Sequence, residues 1–209
     1  MKIEILDLGI NNLGSMVRSF ENNSQEFDQV CVVSEPIGTE DADLIVLPGL
    51  GHFRAGMRAL EESGLSNYVK ERFEQNTKIV GICLGMQMLF ECSEEAPGRP
   101  GLRFLEGVVK FLPSSQSVPN IGWDMVNLKS NSGSFPSLES GKDFYFDHSL
   151  CVTEIPDEVI LTETPFGENN FISSVLNQNI LGFQFHPEKS GKIGQSLVGD
   201  ILDWARSSD

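Results

Sequence analysis

Apolar and polar positions along the chain fall into two rhythms. In the first half, short apolar runs at Ile3–Leu8, Val30–Val33 and Leu44–Leu47 alternate with stretches of helical spacing at Leu13–Glu21, Phe53–Glu62 and Leu65–Gln75. A strand run followed by a helix-period run, repeated, predicts a parallel sheet whose strands are joined by crossover helices. Ile79–Cys83 continues the series. It is apolar on both faces, as a strand sandwiched between two helix layers must be, and Leu84–Cys92 is expected to be its helix.

The second rhythm begins after Pro97-Gly98-Arg99-Pro100-Gly101. Short runs at Val108–Leu112, Met125–Leu128, Phe144–Leu150, Phe171–Leu176 and Leu181–Phe185, with turn residues between them, predict antiparallel or mixed strands wrapped onto the first sheet. Ile193, Leu197, Val198, Ile201, Leu202 and Ala205 then recur at helical spacing, which predicts a closing helix over Gly194–Arg206. No repeat, low-complexity tract or long linker divides the chain, so residues 1–209 are expected to form one domain. The fold class is therefore an α/β sandwich: a central, mostly parallel sheet with helices on both faces, plus a smaller antiparallel or mixed sheet from the second half.

Charge narrows the range of partners. A formal net charge of -15, with no Lys/Arg cluster to offset it, disfavours nucleic acid and anionic membranes. Glu4 and Asp7 break the apolar run at the start, and no run approaches the ~18 apolar residues of a membrane span, so a soluble, cytoplasmic protein is expected. Cys31, Cys83, Cys92 and Cys151 form no C-x-x-C pair, which argues against a zinc site or a disulfide framework; no metal and no other cofactor is expected.

One cysteine stands apart. In Gly81-Ile82-Cys83-Leu84-Gly85, Cys83 falls on the junction between a strand and a helix, and the flanking glycines leave room for neighbouring chains at a sharp turn. A helix N-terminus favours a thiolate, the form that attacks carbonyl carbon, and the Leu84 N–H would point where an oxyanion develops. The plainer alternative is a small apolar residue filling a tight turn.

A thiolate needs an imidazole to hold and pass its proton, and the chain offers His52, His148 and His186. His186 ends the run Leu181–Phe185 at the edge where α/β sheets carry chemistry, with Glu188 two residues on to orient the ring. By itself His-Pro-Glu also fits a hydrogen-bonded structural histidine. Pro48-Gly49-Leu50-Gly51 follows the Leu44–Leu47 run and could aim backbone N–H groups into an anion-binding nest, or be a simple turn. Its glycine spacing does not match a dinucleotide fingerprint, and the chain has no G-x-x-x-x-G-K-[ST] phosphate loop. Gln87 lies one helical turn after Cys83 on nearly the same face, where its amide could pair with a polar substrate.

Taken together, Pro48-Gly49-Leu50-Gly51, Gly81-Ile82-Cys83-Leu84-Gly85-Met86-Gln87 and His186-Pro187-Glu188-Lys189 resemble the class I (triad) glutamine amidotransferases, a flavodoxin-like α/β family, over nearly the whole chain. Gly9–Ser15, Pro119-Asn120-Ile121-Gly122-Trp123 and Tyr145-Phe146-Asp147-His148-Ser149 resemble the branch whose glutaminase subunits pair with a HisF-like (β/α)8-barrel cyclase of histidine biosynthesis. The resemblance implies L-glutamine as substrate, Cys83 as nucleophile, His186 as base and acid, and Glu188 as its orienter. It further implies Gly49, Gly51 and Leu84 at the oxyanion, Gln87 on the substrate, and Asn12, Trp123, Tyr145 and Lys189 facing the partner. The chain departs from the pattern at Asn120, Asp124 and Asp147, where histidine, asparagine and an apolar residue are expected. Those departures motivate a second acceptor, an ATP-dependent sugar-amidating enzyme of surface-polysaccharide synthesis.

Overall fold

The computed structural model describes residues 1–9, 13–36, 41–113, 116–129 and 133–207. Five strands form the parallel part of the sheet, β1 (Lys2–Leu6), β2 (Gln29–Val33), β3 (Leu44–Leu47), β4 (Lys78–Ile82) and β12 (Ile180–Phe183), in the order β2-β1-β3-β4-β12. The β3 and β4 strands are buried at every position, because both faces carry helices. Alternate side chains divide accordingly. Leu44 and Val46 join Ile3, Ile5, Val80 and Ile82 under α1 (Leu13–Asn23) and α5 (Gly191–Arg206), while Ile45 and Leu47 join Ile79 under α2 (Phe53–Glu62) and α3 (Leu65–Glu74).

The antiparallel strands do not form a separate layer; they extend the same sheet. From β12 the order continues through β11 (Asn169–Asn177), β10 (Ile160–Phe166), β7 (Asn120–Leu128) and β8 (Lys142–His148). Off this path, β5 (Cys92–Ser93), β6 (Val108–Phe111) and β9 (Leu150–Thr153) make a short spur, with β9 pairing to β11. The outer β7–β8 hairpin carries Ile121, Trp123 and Met125 on one exposed face, an apolar stripe at period two.

Of the differences from the sequence reading, three have a clear physical cause. The helix expected over Leu84–Cys92 is the five-residue α4 (Leu84–Met88). Beyond it the backbone carbonyls of Met88, Leu89 and Phe90 accept from the N–H groups of Leu102, Phe104 and Arg103, so a distant loop, not the next helical turn, satisfies them. The run Phe144–Leu150 divides into β8 and β9 at Ser149, whose carbonyl accepts from Leu112 N–H. No strand is expected between Leu150 and Phe171, yet β10 forms there; in the sheet Thr162 is fully buried and its hydroxyl pairs with Ser173 at 2.8 Å and Ser174 at 2.6 Å.

Candidate active site

Strand β4 runs straight into α4 through Cys83, whose φ of 53° and ψ of -111° are strained for a residue with a Cβ. Close neighbours hold it there. A Cβ on Gly85 would lie 1.7 Å from the Leu47 carbonyl oxygen at the end of β3, and one on Gly81 would lie 2.7 Å from Met86 backbone atoms. The two glycines are thus required by contact between backbones, which lets the elbow seat against the sheet edge.

The Pro48–Gly51 loop leaves β3 beside this elbow. A Cβ on Gly49 would sit 2.9 Å from Gly85 N, so the loop lies directly on the start of α4, and Gly51 takes φ +94°. Pro48, Gly49 and Leu50 line a cavity of about 20 Å³ together with Ile82, His186, Glu188 and Lys189. That volume holds about one water.

His186 follows β12 on a segment pinned from several sides: its N–H donates to Tyr145 O at 2.8 Å, and its carbonyl accepts from Ser190 Oγ at 2.6 Å. The ring Nδ1 meets Glu188 Oε1 at 2.8 Å, and both side chains are buried. Burial opposes a charge on the ring, but the nearby Cys83 sulfur and the Glu188 carboxylate outweigh it and push the imidazole up to about 10. Nε2 is buried without a hydrogen bond, although the sulfur is close enough for its charge to act on the ring. The ring is thereby oriented by Glu188 on one nitrogen, and its raised pKa favours holding the thiol's proton on the other. In this resting arrangement Cys83 Sγ donates instead to the Asp147 carbonyl at 3.7 Å.

The other two histidines have structural partners. His52 caps α2, its Nδ1 accepting from Arg54 N at 3.2 Å. His148 is buried against Phe146 and Phe171, with Nδ1 2.8 Å from Leu150 O, and desolvation lowers its pKa to about 4.

Gln87 is buried rather than displayed on a helix surface. Its Nε2 donates to Leu150 O at 3.2 Å and to Gln184 Oε1 at 3.0 Å, and Gln184 in turn donates from Nε2 to Cys83 Sγ at 3.7 Å. Gln184 went unnoticed in the sequence. The available signal was an amide flanked by Phe183 and Phe185 in a run that is buried throughout.

Three of the residues expected at a partner surface gather on the hairpin side of His186. The Trp123 and Tyr145 rings meet edge to face at 6.1 Å, and Lys189 Nζ lies 5.6 Å from the Tyr145 ring centre and 4.0 Å from Asp147 Oδ2. Trp123 is 53% exposed. The fourth, Asn12, lies outside the described residues. Two of the departures, Asn120 and Asp124, touch each other through Asn120 Nδ2 and Asp124 Oδ2 at 2.9 Å, so they substitute as a bonded pair.

A profile of the family described as "Glutamine amidotransferase class-I" matches residues 4–201. The protein named "Imidazole glycerol phosphate synthase subunit HisH" of Methanopyrus kandleri is 39% identical over 98% of this chain and 99% of its own length. Proteins of the same name from Aquifex aeolicus and Thermotoga maritima are 38% and 39% identical, covering 95% and 99% of this chain and 94% and 99% of theirs. Among solved structures, "Crystal structure of glutamine amidotransferase" superposes with a TM-score of 0.76 at 18% identity, covering 98% of this chain and 99% of that one. "Structure of PurLQS from Thermotoga maritima" superposes with a TM-score of 0.73 at 18% identity and the same coverage. At such identities the two structures speak to the fold alone.

Proposed function

The chain belongs to the class-I glutamine amidotransferase family, and we propose that it is the glutaminase subunit of an imidazole glycerol phosphate synthase. In this reading residues 1–209 act as one glutaminase domain that hydrolyses L-glutamine to glutamate and ammonia and passes the ammonia to a (β/α)8-barrel cyclase of histidine biosynthesis. The shared name of relatives at 38% and 39% identity over nearly the full chain supports this acceptor over a sugar-amidating enzyme. The observation that carries the chemistry is the buried His186–Glu188 pair at 2.8 Å beside a strained Cys83. A cytoplasmic location belongs to the same reading; among the described residues no helix is long and apolar enough to cross a membrane.

The proposed steps use a cysteine nucleophile and a histidine base. His186 Nε2 takes the Cys83 proton, and the sulfur attacks the glutamine side-chain carbonyl carbon. Backbone N–H groups at Leu84 and Gly51 receive the oxyanion, with Gly49 shaping the loop. The protonated His186 then gives its proton to the departing nitrogen, and ammonia leaves a glutamyl thioester on Cys83. Water attacks the thioester with His186 as base, releasing glutamate and restoring the thiol. In this reading Gln87, its amide nitrogen engaged by Leu150 and Gln184, backs the substrate site from within, and Trp123, Tyr145 and Lys189 face the cyclase.

With room for about one water between the Pro48–Leu50 loop and His186, little turnover is expected of the chain alone. Glutamate release is to be measured for the native chain and for Cys83→Ala, each with and without a barrel cyclase and its phosphorylated acceptor. The reading expects release to rise on complex formation and ammonia to enter the acceptor. Equal background release from both chains in the complex would overturn it.

A further inference from the structure

A buried polar chain runs from the exposed hairpin to the nucleophile, and its direction is fixed by groups that can only accept. The Leu150 carbonyl accepts from Gln87, so Gln87 must present its Nε2 there. The same Nε2 donates to Gln184, so Gln184 must present Oε1 to it, which turns the Gln184 Nε2 toward Cys83. Leu150 O also lies 2.8 Å from His148 Nδ1, so that nitrogen carries the proton and Nε2, 3.4 Å from Asn120 Nδ2, accepts. The Asp124 carboxylate in turn fixes the Asn120 amide.

We infer that Gln184 is a positioning residue for the nucleophile, holding on the Cys83 sulfur an N–H whose polarity is set through Gln87 by the Leu150 carbonyl. The inference rests on Cys83 being the glutaminase nucleophile. Two backbone and side-chain groups compete for the sulfur. The Asp147 carbonyl accepts a proton from it and so favours the neutral thiol; the Gln184 N–H donates to it and so favours the thiolate. Gln184 is fully buried, so its amide has no water to turn to, and no rotation of the amide satisfies both Gln87 and the sulfur in any other way. The charged and titratable groups around the sulfur are His186 with Glu188 behind it, His148, Asp147 and Lys189. Beside the His186 ring, whose interaction with the sulfur raises its pKa, Gln184 supplies the N–H that faces the sulfur.

The test uses the chain assembled with a barrel cyclase. Gln184→Met removes both ends of the amide at similar length; Gln184→Glu keeps an acceptor for Gln87 and puts a carboxylate oxygen where the N–H faced the sulfur. Both variants are expected to lower kcat for glutamate release about tenfold with KM for glutamine within about twofold, and to slow iodoacetamide labelling of Cys83 about tenfold at fixed pH. Thermal melting identifies a variant that fails to fold, in which case the other decides. Native kcat and native labelling of Cys83 in a folded variant would overturn the inference. The labelling arm needs no glutamine turnover: a native pair that releases no glutamate would sink the glutaminase reading, while the labelling rates would still decide the role of Gln184.

Discussion

Replacing Gly85 by alanine tests the elbow at its tightest point. The added Cβ would lie 1.7 Å from the Leu47 carbonyl oxygen and 2.7 Å from its carbon, more than 1 Å inside the closest approach that real Cβ atoms show. Both atoms are backbone at the end of a fully buried strand, so no side chain can swing away. Relief requires the start of α4 to separate from β3, carrying Cys83 with it. Overpacking of this kind costs about 1–3 kcal/mol of stability, and an ångström of displacement at the nucleophile costs on the order of a hundredfold in rate. The assay is urea unfolding together with glutamate release in the complex. Gly199→Ala is the matched control, because that glycine lies inside α5 with its nearest neighbour, Asn23 Oδ1, at 3.6 Å; it should gain about 0.5–1 kcal/mol from helix propensity alone. Gly85→Ala within about 0.5 kcal/mol of native, with native turnover, would refute the reasoning.

Three other outcomes follow from the same geometry. Cys83→Gly should abolish glutamate release yet stabilise the fold by about 1 kcal/mol in urea unfolding, because φ of 53° strains any residue with a Cβ. Glu188→Gln should cut kcat at least about a hundredfold with little change in KM, and an NMR titration should place the His186 imidazole below its native value of about 10, since a raising charge has been removed. His148 is held neutral with its pKa lowered to about 4, so on acidification the unfolded chain takes up this proton first and the folded state loses stability from about pH 6.5 downward. Between about pH 7 and about pH 4.5 urea unfolding should show His148→Gln losing about 2–3 kcal/mol less than the native chain, and parallel losses would contradict the assignment.

Much of this arrangement was legible in the sequence where local pattern and tertiary environment agree. Leu44–Leu47 and Phe53–Glu62 match their elements residue for residue, because four apolar residues in a row and an amphipathic stretch each have one burial solution. That Cys83 sits on a strand-to-helix elbow and that His186 and Glu188 lie just past a strand end was legible because glycine spacing and a strand-ending proline report backbone geometry. What escaped depends on partners remote in the chain. The early end of α4 is set by the N–H groups of residues 102 to 104, and β10 is possible because Ser173 and Ser174 satisfy the Thr162 hydroxyl. Gln87 was read as a group held ready for substrate; its amide nitrogen is engaged by Leu150 and by Gln184, both more than 60 positions away. Gln184 itself shows no periodicity to notice, and its meaning lies wholly in the sulfur it faces.

The account stands or falls on Cys83 as the atom that opens the glutamine amide. The direct measurement is mass spectrometry of the assembled pair after treatment with a glutamine analogue bearing an electrophilic ketone in place of the carboxamide, with glutamate release followed in the same samples. The account predicts one label per chain on the peptide containing Cys83, none on Cys31, Cys92 or Cys151, and loss of glutamate release in proportion to labelling. Sustained glutamate release from pairs with an unlabelled Cys83, or inactivation that tracks a label elsewhere, would contradict it.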